Sequence, residues 1–103
     1  MKITMPPKSP SKTEKQWTFF SNHGHTIILL HRNPELTVRE MATTIGITER
    51  ALLSILSDLQ EYGCVSVKKE GRRNRYKVLG SAKFRHPIEG SVSIASLLQL
   101  FSK

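Results

Sequence analysis

The feature that most restricts the fold is a pair of short helical patterns separated by one glycine, between residues 37 and 63. Thr37 and Glu40 have the spacing of a capping box, in which the hydroxyl and the carboxylate each accept a hydrogen bond from a free amide at a helix start. Gly46 can adopt the left-handed geometry that ends this helix, and Thr48 can cap the next one. The pattern therefore predicts two helices joined by a tight turn.

The second helix of this pair carries a single apolar stripe. Its members recur at positions i, i+3, i+4 and i+7 and end before Tyr62-Gly63: Leu52, Ile55, Leu56 and Leu59. The small Ala42 lets the two helices approach closely, which favours a helix-turn-helix. An ordinary helical hairpin that binds no DNA explains the same apolar positions equally well, so that alternative stays open.

An earlier helix is predicted from Ser21 or Asn22, either of which can cap it, to about Arg32. It ends there because proline in Asn33-Pro34 disfavours helical geometry at the preceding residue. The apolar run 27–30 covers more than one face of this helix. We therefore expect one part to pack on the domain and another part on a second segment or subunit.

A basic β-hairpin is predicted directly after the second helix of the pair. Two short strands, 64–70 and 75–79, flank Gly71-Arg72-Arg73-Asn74, with the tip near Gly71. Cys64 fits a small buried residue at the start of the first strand. Six cationic side chains belong to this hairpin: Lys68, Lys69, Arg72, Arg73, Arg75 and Lys77. A solvated charged edge that prevents aggregation is the alternative explanation.

A helix-turn-helix followed at once by a basic hairpin resembles the winged helix-turn-helix domain, and more narrowly the small MarR-like regulators. In this resemblance, residues 46–51 form the turn into the recognition helix and residues 71–76 form the wing. It implies an α+β fold, with a three-helix core, a hairpin wing and an added C-terminal helix. It also implies sequence-specific binding of double-stranded DNA and a role in transcription regulation, with a recognition helix at about 48–62 in the major groove and a wing at 70–76 in the minor groove.

With the apolar stripe turned inward, the polar side of the recognition helix becomes available to DNA. Its candidate DNA-binding residues are Thr48, Glu49, Arg50, Ser54 and Ser57. Arg50 is the leading base reader, because its forked guanidinium matches the paired acceptors of guanine. Glu49 can accept from cytosine, but a favourable interaction with the helix dipole explains it equally well. Leu53, if exposed, can contact a thymine methyl or another protein segment.

The hairpin cations divide into two expected roles. Arg72, Arg73 and Arg75 fit a minor groove, where negative potential is concentrated, and the lysines fit phosphates. A formal net charge of +8 agrees with a polyanionic partner. Two alternatives remain, an RNA-binding winged helix and a protein-interaction module with an acidic partner.

The chain divides into three regions on composition. Residues 1–16 are rich in Lys and Pro and predict a flexible basic arm, residues 17–80 form the winged domain, and residues 81–103 form an extension. Ser93 can cap a short amphipathic helix in this extension. Its apolar stripe, which we expect to support a homodimer, consists of Ile94, Leu97, Leu98 and Phe101.

The sequence contains no motif that predicts catalysis, a cofactor or a metal. Gly-rich phosphate loops, nucleophile elbows and His-Glu-x-x-His are missing, so we expect no enzyme. His23 and His25 point about 200° apart on a helix and cannot converge on one ion. The lone Cys64 suits a reducing cytoplasm, and no apolar run approaches the roughly 20 residues of a membrane span.

Overall fold

The computed structural model describes residues 17–102, so the predicted basic arm at 1–16 lies outside the described residues. Within them the chain is α+β, as predicted, with helices followed by an antiparallel hairpin and a final short helix. The elements in chain order are α1 (Asn22–Arg32), α2 (Val38–Ile45), α3 (Glu49–Tyr62), β1 (Val65–Glu70), β2 (Arg73–Val78), a 3-10 helix (Pro87–Glu89) and α4 (Ile94–Gln99). None of the described helices has both the length and the apolar character needed to cross a membrane.

The predicted helix boundaries are confirmed by the caps at both ends of α2. The Thr37 hydroxyl accepts from the Glu40 amide at 3.1 Å, and the Glu40 carboxylate accepts from the Thr37 amide at 2.8 Å. Gly46 ends α2 with a φ of 91°, in the left-handed region where a side chain is strained. Thr48 then caps α3 by accepting from the Ala51 amide at 3.0 Å. Short-range hydrogen bonds therefore determine where the two helices meet.

The core lies between α1, α2 and α3 and is closed by β1, β2 and α4. The predicted stripe of α3 is confirmed, since all four of its residues are buried. The buried apolar residues are Ile27, Leu30, Met41, Ala42, Leu52, Ile55, Leu56, Leu59, Cys64, Val65, Tyr76, Ile94 and Leu98. Cys64 directly precedes β1, and burial raises the pKa of its thiol, so the side chain behaves as a neutral apolar group.

The hairpin turn is shorter than the sequence indicated. Arg73 and Asn74 belong to β2, where they pair with Glu70 and Lys69, so the predicted turn over 71–74 is wrong. Only Gly71 and Arg72 connect the strands. The physical reason is the φ of 64° at Gly71, because a positive φ at the first turn position allows a two-residue hairpin connection.

The segment after β2 folds back onto the domain, which corrects the predicted dimer stripe. Ile94 and Leu98 are only 5% and 4% exposed and belong to the same core as the three helices. They are therefore unavailable to a second subunit, because hydrophobic burial within the chain has already removed them from water. Leu97 and Phe101 are half-buried and keep some accessible surface, and Phe101 lies beyond the end of α4.

The second contact of α1 also comes from this chain. Ile28 and Leu29 are half-buried and line a shallow depression together with Phe20 and Phe101. The rings of Phe20 and Phe101 pack edge to face, with centroids 6.0 Å apart. The segments before α1 and after α4 therefore meet over the outer side of α1.

We expect the capping box to make stability depend on pH. Hydrogen bonds from the Thr37 amide and hydroxyl, with a smaller effect of nearby Arg73, lower the pKa of Glu40 below its ordinary value of 4.5. Ionised Glu40 therefore stabilises the fold at neutral pH, and this contribution is lost as the pH falls below 4.5 through the folded-state pKa. Thermal unfolding of wild type and Glu40→Gln should show a gap in Tm at neutral pH that closes toward pH 3. A gap that is constant or widens on acidification contradicts the assignment.

Candidate nucleic-acid interface

The exposed side of α3 begins with the residues that the sequence selected. Arg50, Ser54 and Ser57 are exposed, and they lie opposite the buried stripe at i, i+4 and i+7 spacing. Leu53 is 48% exposed beside them, so an apolar contact is available on the same side. Thr48 differs in that its hydroxyl already accepts a hydrogen bond from the Ala51 amide. The side chains free to interact therefore begin at Arg50.

The start of α3 is joined to α2 by an ion pair that sequence reasoning missed. The Arg39 guanidinium lies 3.5 Å from the carboxylate of Glu49, the first residue of α3. Both side chains are largely exposed, so the pair contributes little to stability. The sequence held one indication of this pair, because Arg39 does not belong to the buried positions of α2, which are Met41 and Ala42. The Glu49 carboxylate is therefore already paired, and the Arg39 guanidinium lies next to the residue that precedes Arg50.

The antiparallel register divides the hairpin cations between its two faces. Val67 pairs with the buried Tyr76, which marks the face turned toward the core. Because side chains alternate along a strand, Lys69 belongs to the Val67 face and Arg72 lies in the turn. The opposite face combines three registered pairs, Ser66 with Lys77, Lys68 with Arg75, and Glu70 with Arg73. Four of the six predicted cations therefore share one side of the hairpin.

Two of the predicted minor-groove arginines are engaged within the protein. Arg75 Nε lies 2.9 Å from the Glu70 carboxylate, and Arg73 donates to the backbone carbonyl of Glu35, in the segment before α2. Arg73 also contributes to the lowered pKa of Glu40. Only Arg72 occupies the turn itself. Of the three arginines, the shorter turn moves Arg73 from the predicted turn into β2, while Arg75 lies in β2 as the predicted strand 75–79 implied.

These contacts bring the hairpin, the start of α2 and the start of α3 together. Arg73 connects the hairpin to the segment before α2, and the Arg39–Glu49 pair connects α2 to α3. We call the resulting surface the basic surface. Its exposed cations are Arg39, Arg50, Lys68, Arg72, Arg73, Arg75 and Lys77.

The second half of α3 carries only negative charge, opposite in sign to the basic surface. Asp58 and Glu61 are exposed there, and the Asp58 carboxylate lies 2.8 Å from His23 Nε2. These carboxylates would repel phosphates, so the side chains of the predicted recognition helix at 48–62 that suit a nucleic acid lie in its first half. His25 bonds to Asn22 instead of joining His23. Among the residues that the structure describes, no three potential metal ligands come together.

Comparison with known proteins adds no relative. No protein-family model matches the chain, and neither a curated protein nor a solved structure is similar to it.

Proposed function

We propose that this chain is a cytoplasmic winged helix-turn-helix protein of MarR-like type that binds double-stranded DNA sequence-specifically and regulates transcription. The observation that carries the proposal is the basic surface, in which the Arg39–Glu49 pair and the Arg73 contact join α2, α3 and the hairpin. A helix with a polar exposed start fits the major groove, and a cationic hairpin beside it can contact the neighbouring backbone.

In this proposal α3 enters the major groove by its first half. Arg50 donates two hydrogen bonds to guanine, while Ser54 and Ser57 bond to bases or phosphates. Leu53 supplies an apolar contact for a thymine methyl. The carboxylates of Asp58 and Glu61 keep the second half of the helix away from the phosphates.

The hairpin supplies contacts that position the protein on the duplex. Lys68 and Lys77, on the face opposite Tyr76, reach phosphates, and Arg72 in the turn enters the minor groove. Arg73 holds the hairpin against the segment before α2 through its bond to the Glu35 carbonyl. Its role in this proposal is therefore to set the angle between hairpin and helix.

The proposal is tested by selecting bound sequences from a random duplex pool and then measuring competition. The selected duplex should displace the labelled duplex at far lower concentration than a random duplex or an RNA of equal length. Equal competition by RNA would favour an RNA-binding module. Binding of neither nucleic acid would favour a protein partner, and both results contradict the DNA proposal.

Removing two hairpin cations should lower the salt dependence of DNA affinity. Each lost phosphate contact reduces the slope of log affinity against log salt by about 0.9, so Lys68→Ala with Lys77→Ala should reduce it by about 2. The measurement is a fluorescence-anisotropy titration of the selected duplex at several salt concentrations. The matched control is Lys83→Ala, which removes a cation from the segment after the hairpin. An unchanged slope in the double variant would refute the assigned hairpin contacts.

We also propose that the protein binds DNA as a homodimer. Phe101 is half-buried and Leu100 is 74% exposed, so this end of the chain presents apolar surface that a second copy can cover. Two copies would read half-sites about 34 Å apart, one turn of DNA, and the selected sequence should be palindromic. Light scattering should give twice the 11.7 kDa chain mass at micromolar concentration. A monomeric mass would contradict this part of the proposal.

A further inference from the structure

A groove with a volume of about 1070 Å³ lies between the start of α1, the end of α3 and the segment that leads into α4. Aromatic and aliphatic side chains form its walls, among them Phe20, Ile27, Leu59, Tyr62, Phe84 and Leu97. Small-molecule sites in proteins are concave, largely apolar and typically about 300 to 1,000 Å³ in volume. This groove therefore has the size and lining of a ligand site.

Carboxylates are concentrated in this groove although the chain carries a net charge of +8. Asp58, Glu61 and Glu89 all line it. Asp58 bonds to His23, but within residues 17–102 neither Glu61 nor Glu89 lies within 4.0 Å of a cationic nitrogen. Arg85 also lines the groove, and the Glu89 carboxylate accepts from the His86 amide at 3.2 Å. Three carboxylates against one permanent cation still leave the groove with a net negative charge.

One aromatic wall already accommodates a cation. The guanidinium of Arg85 lies over the ring of Tyr62, 5.3 Å from its centroid. The Tyr62 hydroxyl donates to the backbone carbonyl of Lys83, which holds the ring in place. An aromatic face attracts a positive charge through its quadrupole, and this attraction grows where water is excluded. Arg85 therefore shows that a cation is accommodated at this wall, and a ligand cation would have to take the place of its guanidinium or lie on the carboxylate side of the groove.

We propose that this groove binds an organic cation that carries bulky aromatic or aliphatic substituents. Its apolar part packs against Phe20, Phe84 and Leu97, while its charge is balanced by Asp58 and Glu61. A compact hydrated cation would leave the apolar walls exposed, and an organic anion would meet the carboxylates. The site is distinct from the basic surface and does not depend on the proposed DNA binding.

The test compares two ions of equal shape and opposite charge, tetraphenylphosphonium and tetraphenylborate. Calorimetric titration of the full chain without DNA should show that the phosphonium binds at least about tenfold more tightly. Generic attraction to a protein of charge +8 would favour the borate, so the expected order is opposite to the non-specific one. Equal affinity for both ions, or tighter binding of the borate, overturns the proposal.

Two variants locate the site. Glu61→Gln and the double variant Asp58→Asn with Glu61→Gln should each weaken phosphonium binding, the double variant by about tenfold or more. Glu70→Gln on the hairpin is the matched control and should leave affinity within about twofold. Because Asp58 also contacts His23, the single Glu61→Gln variant keeps the test valid if the double variant unfolds. Equal losses of phosphonium affinity in Glu61→Gln and Glu70→Gln contradict the site. Binding of neither ion by the wild-type protein also contradicts it.

Discussion

Arg50→Ala is expected to weaken binding to the selected duplex by about 1 to 3 kcal/mol, a loss of roughly 5- to 150-fold. Arg50 is exposed near the start of α3, beside Arg39 and on the side opposite the buried stripe. A guanidinium that donates two hydrogen bonds to guanine discriminates against every other base, so its removal should also relax specificity at one position of the site. Anisotropy titrations with the selected duplex and with single-base variants of it measure both effects.

The control for Arg50→Ala must remove the same charge elsewhere. Arg85→Ala does so at the far end of α3, where Arg85 lies over Tyr62, about 18 Å along the helix from Arg50. It should change affinity only slightly, because an exposed charge beyond a Debye length of about 8 Å is largely screened at physiological salt. Losses of similar size in both variants would mean that Arg50 contributes only general charge, which contradicts its role as a base reader.

Leu98→Ala is expected to lower the free energy of unfolding by about 2 to 5 kcal/mol, a large part of the roughly 5 to 15 kcal/mol that stabilises a typical domain. Leu98 is 4% exposed and lies in the core formed with α1 and α3, so truncation leaves a cavity. Urea unfolding followed by circular dichroism measures the change. Ile88→Ala is the matched control, because Ile88 is 87% exposed and its truncation should change stability by less than about 0.5 kcal/mol.

The Leu98 variant also separates two roles for the C-terminal segment. If α4 belongs to the core, the loss of stability is independent of protein concentration, because the lost contacts lie within one chain. If the segment instead stabilised only a dimer, the loss would shrink as the protein is diluted into the monomer range. The burial of Ile94 and Leu98 leads us to expect the concentration-independent result.

The division of charge along α3 links the basic surface and the groove. Arg50 and Ser54 lie on its first half, whereas Asp58 and Glu61 lie on its second half, one side of which lines the groove. The first half of α3 therefore presents Arg50, with Glu49 neutralised by Arg39 of α2, and the second half presents only carboxylates. The two proposals remain separable, because the ion titrations contain no DNA.

Local structure was predictable because short-range interactions decide it. The capping box at Thr37, the stop at Gly46 and the cap at Thr48 each involve residues within a few positions of one another, and all three are observed. The inward stripe of α3 follows from the helical period alone. The hairpin and its tip at Gly71 were placed correctly, but the turn has two residues instead of four, because cross-strand pairing of Arg73 and Asn74 decides where β2 begins.

By itself, the sequence determined the three helices, the basic hairpin and the polar side of α3 that begins at Arg50. Only the tertiary structure decided that Arg73 holds the Glu35 carbonyl, that Arg39 pairs with Glu49, and that Ile94 and Leu98 enter the core. The tertiary structure also decided that a groove forms between α1, α3 and the C-terminal segment. Helix caps and amphipathic stripes depend on neighbours along the chain, whereas these contacts join residues from separate elements and depend on how those elements pack.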